Sequence, residues 1–254
     1  MTDSTSTPLN GRVVVVTGAS RGLGRAMALM LAERGASVIV AARSTDAATE
    51  ATLTIEQAVR QIEARGGTAL AVPVDVRDEN QVSAMARQVL DRFGRIDVLV
   101  NNAGLMLGDI AFEDIAPDAW QTVMDVNLRG AFLCCRAVLG PMLAQGAGVI
   151  VNITSGAAVR TGFLNLAYGV SKAGVDRLTL GLGAEFKDRG IACVSLSPPF
   201  SDTEGVREIY RDRNVAARAP ALTAEALCRL LTDDPMQYAG KVLSVREYLA
   251  LQDH

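Results

Sequence analysis

Short runs of apolar residues alternate along this chain with longer segments in which apolar residues recur at helical spacing. Residues 13–16 are four consecutive valines, a pattern typical of a strand buried on both faces. Similar runs predict strands at 13–16, 38–41, 69–74, 98–100, 149–153, 192–196 and 242–245. The longer segments predict helices at 22–34, 54–65, 79–93, 117–145, 166–189 and 223–231, several of which end at a glycine.

This alternation of strand and helix predicts the fold class. Short links between successive elements favour a parallel sheet covered by helices, and right-handed crossovers make it doubly wound. We therefore expect an α/β fold: a single Rossmann-type domain with a seven-stranded, mainly parallel sheet and helices on both faces. The chain has 254 residues, and the domain is expected to span 11–254 after a flexible, polar tail at 1–10.

Composition excludes several classes of function. The net charge is −3, so no basic surface is expected to recruit nucleic acid. The only histidine is the last residue, His254, which removes most Ser-His-Asp, Cys-His and histidine–metal chemistry from consideration. We expect no metal site, and the partner is expected to be a small molecule.

The cysteines and the apolar runs bear on location. The four cysteines include no C-x-x-C pair, and adjacent Cys134 and Cys135 are interpreted as buried small apolar residues rather than redox groups. This usage fits a reducing cytosol. The sequence contains no run of 18 apolar residues, so no membrane span is predicted. The N-terminal segment lacks the pattern of a secretory signal. We therefore expect a cytoplasmic protein.

A glycine-rich loop joins the first predicted strand to the first predicted helix. It reads Thr-Gly-Ala-Ser-Arg-Gly-Leu-Gly over residues 17–24. The first glycine allows a sharp turn, and the other two let the backbone approach a pyrophosphate without obstruction by a Cβ atom. In this context the loop predicts a dinucleotide-binding site. Its cofactor-binding residues are Gly18, Ser20, Arg21, Gly22, Leu23 and Gly24.

The end of the second predicted strand bears on the choice between NAD and NADP. An NAD site usually carries an acidic residue there, which binds the ribose 2′-hydroxyl. This chain has Ala-Ala-Arg-Ser at 41–44, and Asp46 lies past the turn. Arg43 is suited to pair with a 2′-phosphate, with Arg21 of the glycine loop on the other side. We therefore expect NADP rather than NAD; the alternative for each arginine is an ordinary surface cation.

A serine, a tyrosine and a lysine carry the candidate chemistry. Ser155 follows the fifth predicted strand, and Tyr168 and Lys172 share one face of the next predicted helix. A free phenol has a pKa of about 10, and a nearby ammonium should lower it towards the working range. Tyr-x-x-x-Lys alone is more often structural than catalytic. Together with the serine and the glycine loop it favours Tyr168 as acid/base, with Ser155 holding the substrate oxygen.

These residues together resemble the short-chain dehydrogenase/reductase family of the compact, single-domain type. The resemblance covers about residues 11–245. Beyond the glycine loop and the Ser-Tyr-Lys set, it is carried by Asp75-Val76, by Asn101-Asn102-Ala103-Gly104 and by Asp125-Val126-Asn127. Each of these motifs stands where the family has it: after the third strand, after the fourth strand and in the long helix.

The resemblance implies hydride transfer between a nicotinamide cofactor, NADP favoured, and a secondary alcohol or ketone. It also implies a homodimer or homotetramer. The implied catalytic residues are Asn127, Ser155, Tyr168 and Lys172, with Lys172 binding the nicotinamide ribose and Asn127 holding a water linked to that lysine. Further cofactor contacts are implied at Asp75, Val76, Asn102, Ala103, Gly104, Tyr168, Lys172, Pro198 and Thr203.

Two segments depart from the family pattern. The family usually follows the sixth strand with Pro-Gly, whereas this chain has Ser-Pro-Pro-Phe at 197–200, and Pro199 cannot reproduce a glycine turn. The change bears on whether Thr203 keeps the family's contact with the carboxamide. The family's Gly-Gly after the last strand is also replaced, here by Ser-Val-Arg-Glu-Tyr-Leu at 244–249. We expect the edge of the substrate pocket to differ from that of the family, and the four implied catalytic residues to be unaffected.

A charge-rich segment, 201–219, lies between a strand and a helix. We interpret it as a lid over a site at the strand ends; the alternative is a solvated surface helix. The residues expected to face the substrate are mainly apolar, which favours a hydrophobic alcohol or ketone, although any one of them would equally serve to pack the fold. They are Leu105, Met106, Thr161, Phe163, Leu164 and Leu166.

Two other classes of function compete with a reductase. The first is a cofactor-binding regulator without turnover, which has no need to keep a tyrosine and a lysine within reach of nicotinamide. The second is a dehydratase or epimerase that works by transient oxidation. Such enzymes usually add a larger C-terminal substrate domain, for which this chain is expected to have no room.

Overall fold

All seven predicted strands are present in the computed structural model of the protein, which describes residues 8–43, 54–161, 165–211 and 217–252. Each observed strand lies within two residues of its predicted limits. The strands are β1 (Val13–Thr17), β2 (Ser37–Ala42), β3 (Thr68–Pro73), β4 (Val98–Asn101), β5 (Gly148–Ile153), β6 (Ile191–Ser197) and β7 (Lys241–Ser244).

The helices begin and end where the local chemistry favours it. Thr54 and Gln57 form a reciprocal capping box, and Gly94 ends a helix in the left-handed conformation. The helices are α1 (Gly22–Glu33), α2 (Ile55–Glu63), α3 (Glu79–Phe93), α4 (Pro117–Met124), α5 (Gly130–Gln145), α6 (Leu166–Phe186), α7 (Glu204–Ile209), α8 (Ala221–Thr232) and α9 (Val245–Gln252). A π-helical turn, Asp125–Arg129, joins α4 to α5.

The sheet has the strand order β3-β2-β1-β4-β5-β6-β7, and every neighbouring pair is parallel. The predicted doubly wound α/β fold is therefore confirmed. The strand order reverses between β1 and β4. Ligands of such sheets bind in the crevice outside the carboxyl ends of the strands at this reversal. The segments after β1, β4 and β5 therefore converge on one edge.

The valine run of β1 supplies both faces of the sheet, as its continuous apolar pattern predicts. Val14 and Val16 pack into a core with residues of α1, α2, α8 and α9. Val13 and Val15 pack into a second core with residues of α3 and α5. Successive strand residues point to opposite faces of the sheet. A strand with alternating apolar and polar residues would therefore have one face exposed to solvent, whereas β1 is buried on both faces.

Three of the four glycines of α6 are explained by contacts within the chain. A Cβ atom on Gly174 would lie 2.8 Å from Leu128 Cδ2, and one on Gly183 would lie 2.2 Å from the backbone nitrogen of Gly240. A Cβ atom on Gly169 would lie 2.9 Å from the Ala157 carbonyl oxygen. These small residues therefore let α6 pack closely on its own domain.

Two expected boundaries differ from the structure. Leu9, assigned to the flexible tail, is buried in a core, and its N–H donates to Arg34 O at 2.9 Å. The chain also forms α9 directly after β7, in place of the family's Gly-Gly. Val245 and Tyr248 of α9 are buried, and the Tyr248 hydroxyl donates to Asp233 Oδ2 at 2.8 Å. Apolar residues three apart suit a helix that covers the core.

The cysteines are free and buried, as expected for small apolar residues. Burial raises the pKa of Cys135 to about 12, which leaves it a thiol. The continuous helical stretch Pro117–Gln145 is long and apolar enough to pass a length-and-composition test for a membrane-spanning helix. Of the most apolar 18 residues in this stretch, 44% are buried inside the fold. The core helix of a soluble protein can be equally long and apolar.

Candidate active site

The glycine loop after β1 forms a cradle that larger residues would fill. Gly18 has a φ of +65°, and a Cβ atom there would lie 2.8 Å from Ala103 Cα. A Cβ atom on Gly24 would lie 2.3 Å from the Gly18 carbonyl oxygen. Only glycine fits both positions, so the loop holds its backbone at the N-terminus of α1, where free N–H groups attract an anion.

The segment after β4 braces this loop through Thr17. The Thr17 hydroxyl accepts hydrogen bonds from the N–H groups of Asn102 and Ala103, at 3.0 and 3.1 Å. Asn102 Nδ2 donates to Thr17 O at 2.9 Å and to Gly18 O at 3.1 Å. Asn102 and Ala103, both expected to contact a cofactor, therefore lie against the glycine loop at the reversal of strand order.

Helix α7 of the expected lid lies against the other side of the loop. The Gly22 N–H donates to Glu204 Oε2 at 3.0 Å, so a carboxylate stands at the N-terminus of α1. Arg21 pairs with Glu208 at 3.7 Å, with both side chains exposed. The Thr203 side chain also lies next to Gly22, while its hydroxyl accepts from the Val206 N–H and caps α7. Thr203 thus lies at the phosphate end, and its carboxamide contact stays a prediction.

The far end of α7 reaches the segment after β4. Ile209 lies near Gly108, and the Tyr210 hydroxyl donates to Asp109 Oδ1 at 3.1 Å. The helix therefore bridges the glycine loop and the segment that leads away from Gly104. This placement agrees with a lid; its movement remains a prediction, and residues 212–216 lie outside the described part of the chain.

The turn after β6 carries the Pro198-Pro199 departure. The Ser201 hydroxyl donates to Pro199 O at 2.7 Å. The Asp202 N–H donates to Arg218 O, and the Arg218 N–H donates to Phe200 O, both at 2.8 Å. The base of the lid is thus tied to the segment before α8. Pro198 itself is half-buried at the end of β6.

The adenine end of the expected site is rich in charge. Arg43 is exposed at the end of β2, and its charge acts on Asp75, which follows β3. The Arg77 side chain hydrogen-bonds to Asp75 and holds the pKa of that carboxyl below its usual value. Val76 is buried and faces Gly130. Asp46 lies outside the described residues.

Ser155, Tyr168 and Lys172 come together at the carboxyl end of β5. Lys172 Nζ lies 5.6 Å from the centroid of the Tyr168 ring and donates to the Ile153 carbonyl oxygen at 2.8 Å. The Ser155 hydroxyl accepts from the Ala157 N–H at 3.2 Å and lies near enough to the Tyr168 phenol to act on its pKa. A Cβ atom on Gly104 would lie 3.7 Å from Lys172 Nζ. The expected set thus lies beside the segment after β4, next to the glycine loop.

Burial governs the protonation of Tyr168 and Lys172. It raises the pKa of the Tyr168 phenol, because a buried phenolate loses its hydration, and the Ser155 hydrogen bond opposes this rise. It lowers the pKa of Lys172 to about 8, opposed by the Asp176 carboxylate. In this structure burial therefore raises the pKa of the Tyr168 phenol, contrary to the expected lowering by the neighbouring ammonium.

Asn127 lies in the π-helical turn Asp125–Arg129, an irregularity frequent at functional sites. Its Oδ1 accepts from the Leu105 N–H at 2.7 Å, and its Nδ2 donates to Leu105 O and Ser171 Oγ, both at 2.9 Å. Its side chain therefore fastens the segment after Gly104. A cavity of about 10 Å³ adjoins both Asn127 and Lys172, a volume near the lower limit for one water. The expected water link stays a prediction.

The residues expected to face the substrate are only partly described. Leu105 and Met106 are half-buried after β4, and Thr161 and Leu166 are exposed before Tyr168. Phe163 and Leu164 lie outside the described residues. A single bridge pairs Ile110 with Asn165, which brings these two segments side by side.

Sequence reasoning missed three residues that shape the site. Thr17 and Asp176 carried signals that were available: a polar residue at a strand end, and an acid four residues after Lys172 on the same helix face. Glu204 carried none, because its contact with Gly22 joins residues 182 positions apart. Such a contact depends on how the lid returns over the sheet.

Comparison with known proteins identifies the family. A family model described as short chain dehydrogenase matches residues 12–214. A 3-oxoacyl-[acyl-carrier-protein] reductase of Synechocystis sp. is 40% identical over 78% of this chain and 77% of its own length. Cis-4-hydroxycyclohexanecarboxylate dehydrogenase of Sinomonas cyclohexanicum is 34% identical over 92% of this chain and 94% of its own length.

A solved structure shares the architecture. It is provisionally assigned as an NAD(P)-dependent gluconate 5-dehydrogenase from Beutenbergia cavernae and holds NADP at low occupancy. The TM-score is 0.83 and the sequence identity 31%, over 96% of this chain and 99% of that one. The chain belongs to the short-chain dehydrogenase family. It is an NAD(P)-dependent oxidoreductase that acts on CH–OH or C=O groups of small molecules.

Proposed function

We propose that the protein is an NADP-preferring oxidoreductase of fairly apolar secondary alcohols or ketones, with Tyr168 as the acid/base. The observation that carries this proposal is the convergence of Ser155, Tyr168 and Lys172 beside the segment that braces the glycine loop. The cradle at Gly18 and Gly24 fits a dinucleotide, and the Gly22 N–H already binds a carboxylate where a phosphate would lie.

Each of these residues has a distinct part in the reaction. A bound nicotinamide supplies or accepts the hydride. The Tyr168 hydroxyl gives its proton to the carbonyl oxygen in reduction and takes it from the alcohol in oxidation. The Ser155 hydroxyl donates a hydrogen bond to the same oxygen, and the Lys172 ammonium binds the ribose and stabilises the phenolate. Asn127 holds the segment after Gly104 in place and supports the relay of protons past Lys172.

The preference for NADP rests on Arg43. It is exposed at the end of β2, and the described part of that strand end contains no acidic residue for a ribose 2′-hydroxyl. A guanidinium suits a 2′-phosphate, because it offers paired donors and a permanent charge. The remaining cofactor contacts proposed above follow the family's motifs at the glycine loop, Asp75-Val76, Asn102–Gly104, Pro198 and Thr203.

A spectrophotometric screen tests this function. The purified protein is mixed with NADPH or NADH and a panel containing an apolar ketone, a cyclic ketone, a 3-oxoacyl thioester and a charged keto acid. We expect oxidation of NADPH with the apolar or cyclic ketones, faster than that of NADH. Tight NADPH binding without turnover on any member of a broad panel would favour a regulator instead.

We further propose that the protein is a cytoplasmic homo-oligomer. Helices α5 and α6 expose apolar side chains: Phe132 (47% exposed) lines a surface groove with Leu128 and Leu178, and Val170 and Leu180 are also exposed. An exposed apolar patch of this kind favours a second protein surface. Light scattering coupled to size-exclusion chromatography should give a dimer or tetramer, and a monomer at micromolar concentration would contradict this. Four free, buried cysteines fit a reducing compartment.

A further inference from the structure

The Asn127 side chain is held by hydrogen bonds to both of its polar atoms. Its Oδ1 accepts from the Leu105 N–H at 2.7 Å, and its Nδ2 donates to the Leu105 carbonyl oxygen at 2.9 Å. Its Nδ2 also donates to Ser171 Oγ at 2.9 Å. A side-chain amide has two donor hydrogens, so these contacts use both of them. Leu105 therefore fixes which way round the amide lies.

Ser171 continues this chain of hydrogen bonds to the backbone of Tyr168. Because Asn127 donates to the Ser171 oxygen, the hydroxyl proton of Ser171 remains available for another partner. It is donated to the Tyr168 carbonyl oxygen at 2.7 Å. Ser171 is 0% exposed, so both bonds lie away from solvent. The chain thus joins Leu105, in the segment after β4, to Tyr168 in the first turn of α6.

The packing around Ser171 brings α6 close to the π-helical turn. Gly174 lies three residues after Ser171, on the same side of the helix. A Cβ atom on Gly174 would lie 2.8 Å from Cδ2 of Leu128, the residue that follows Asn127. A larger residue at this position would push the helix away from the turn. The close approach lets a side chain as short as serine reach the Asn127 amide.

A second buried hydroxyl of α6, that of Thr179, has the same kinds of partner in a different place. Thr179 Oγ1 accepts from Asn152 Nδ2 at 2.8 Å and donates to the Val175 carbonyl oxygen at 2.9 Å. Like Ser171, it is 0% exposed. Its asparagine lies within β5, whereas the asparagine that binds Ser171 holds a segment of the candidate site. The two hydroxyls therefore form a matched pair for experiment.

We propose that Ser171 is a positioning residue that sets the place of Tyr168 relative to the segment after Gly104. This inference rests on the proposed role of Tyr168 as the acid/base. Leu105 belongs to the part of that segment expected to face the substrate. A substrate that packs there then meets the phenol at a fixed distance. Ser171 acts through its neighbours and need not touch the substrate or the cofactor.

Removal of the Ser171 hydroxyl would loosen this link at both ends. In Ser171→Ala, one Nδ2 hydrogen of Asn127 loses its partner, and the Tyr168 carbonyl loses a side-chain donor. Reaction rates depend steeply on alignment, and a misplacement of about 1 Å can cost about 100-fold. The loosened link should therefore slow the chemical step. The glycine loop and Lys172, which hold the cofactor in the proposed function, keep their own contacts.

The test compares Ser171→Ala with Thr179→Val, each of which removes one buried hydroxyl of α6. Enzyme loaded with limiting NADPH is mixed with a saturating ketone from the screen above, and stopped-flow absorbance gives the rate constant and the amplitude of a single turnover. NADPH with deuterium at nicotinamide C4 identifies the phase that contains hydride transfer, because deuterium slows it. We expect Ser171→Ala to lower this rate constant about 10-fold at full amplitude, with the Kd of NADPH within about twofold of the wild type. Thr179→Val should keep the wild-type rate constant.

Two results would overturn the inference. One is a wild-type rate constant in Ser171→Ala, whatever its amplitude, since a smaller amplitude alone means that fewer molecules are correctly folded. The other is an equal fall in the rate constant of Thr179→Val, which would mark both hydroxyls as parts of the fold only. If Ser171→Ala does not fold, Ser171→Cys keeps the shape with weaker hydrogen bonds and is judged by the same two results. Failure of the proposed function is separate, since Tyr168→Phe would then retain turnover.

Discussion

Glu204 Oε2 accepts a hydrogen bond of 3.0 Å from the Gly22 N–H, at the N-terminus of α1. The start of a helix that follows a glycine loop is a ready-made anion site. A carboxylate of the expected lid therefore stands where the phosphates of a dinucleotide are expected. We predict that the two anions compete for the same donor and that Glu204 moves when the cofactor binds.

Glu204→Gln should bind NADPH more tightly, because the neutral side chain repels the phosphates less. Exposed charge interactions contribute at most about 1 kcal/mol, so the Kd should fall by about fivefold or less. Fluorescence titration measures the Kd, with Glu113→Gln, at an exposed acid between β4 and α4, as the control. The gain should shrink in high salt. An unchanged or weaker affinity would mean that Glu204 does not oppose the cofactor.

Tyr168→Phe should abolish turnover and leave the Kd of NADPH within about twofold, since the phenol hydroxyl carries the proton while the loop and Lys172 hold the cofactor. Initial rates and fluorescence titration check both parts. Tyr238→Phe, distant along the chain, serves as a control. Activity that persists in Tyr168→Phe would remove Tyr168 as the acid/base.

Arg43→Ala should weaken NADPH about 10- to 100-fold and NADH by less than threefold, because a hydrogen bond to a charged group contributes about 1.5–3 kcal/mol. Arg12→Ala, an exposed arginine before β1, is the control. The Kd values of both cofactors decide the outcome. An equal loss of affinity for NADPH and NADH would show that Arg43 does not bind the 2′-phosphate.

Lys172→Met should raise the free energy of unfolding by about 1–3 kcal/mol at pH 7 while abolishing turnover, since it removes a desolvated ammonium and loses one hydrogen bond to Ile153. The pKa of Lys172 is about 8 in the folded state against an ordinary 10.5, so between these values the unfolded state binds more protons. Wild-type stability from this group therefore rises with pH through that window.

The difference between Lys172→Met and the wild type should consequently be largest below pH 8 and narrow towards pH 10.5. Urea unfolding at several pH values measures it. Lys187→Met, an exposed lysine beyond α6, should show no such trend. A Lys172→Met protein that is less stable than the wild type at pH 7 would mean that burial of the ammonium is not a net penalty.

The hydrophobic periodicity and the residues that begin and end helices predicted the strands and helices well, because these signals act locally. The valine run of β1, the capping residues Thr54 and Asp78 and the terminal glycines act within a few residues of themselves. Helix α9 was not predicted, because it depends on packing against another segment of the chain. Its Tyr248 is buried only because α8 lies against it. The buried Leu9 was missed for the same reason.

By itself, the sequence determined the α/β fold, the family, the glycine loop and the spacing of Ser155, Tyr168 and Lys172, since each follows from residue type and short spacing. Only the tertiary structure placed Glu204 on Gly22, and only it showed that burial raises the pKa of Tyr168. Those features depend on burial and on charges brought together from distant segments. Neither quantity exists until the sheet and its helices have packed.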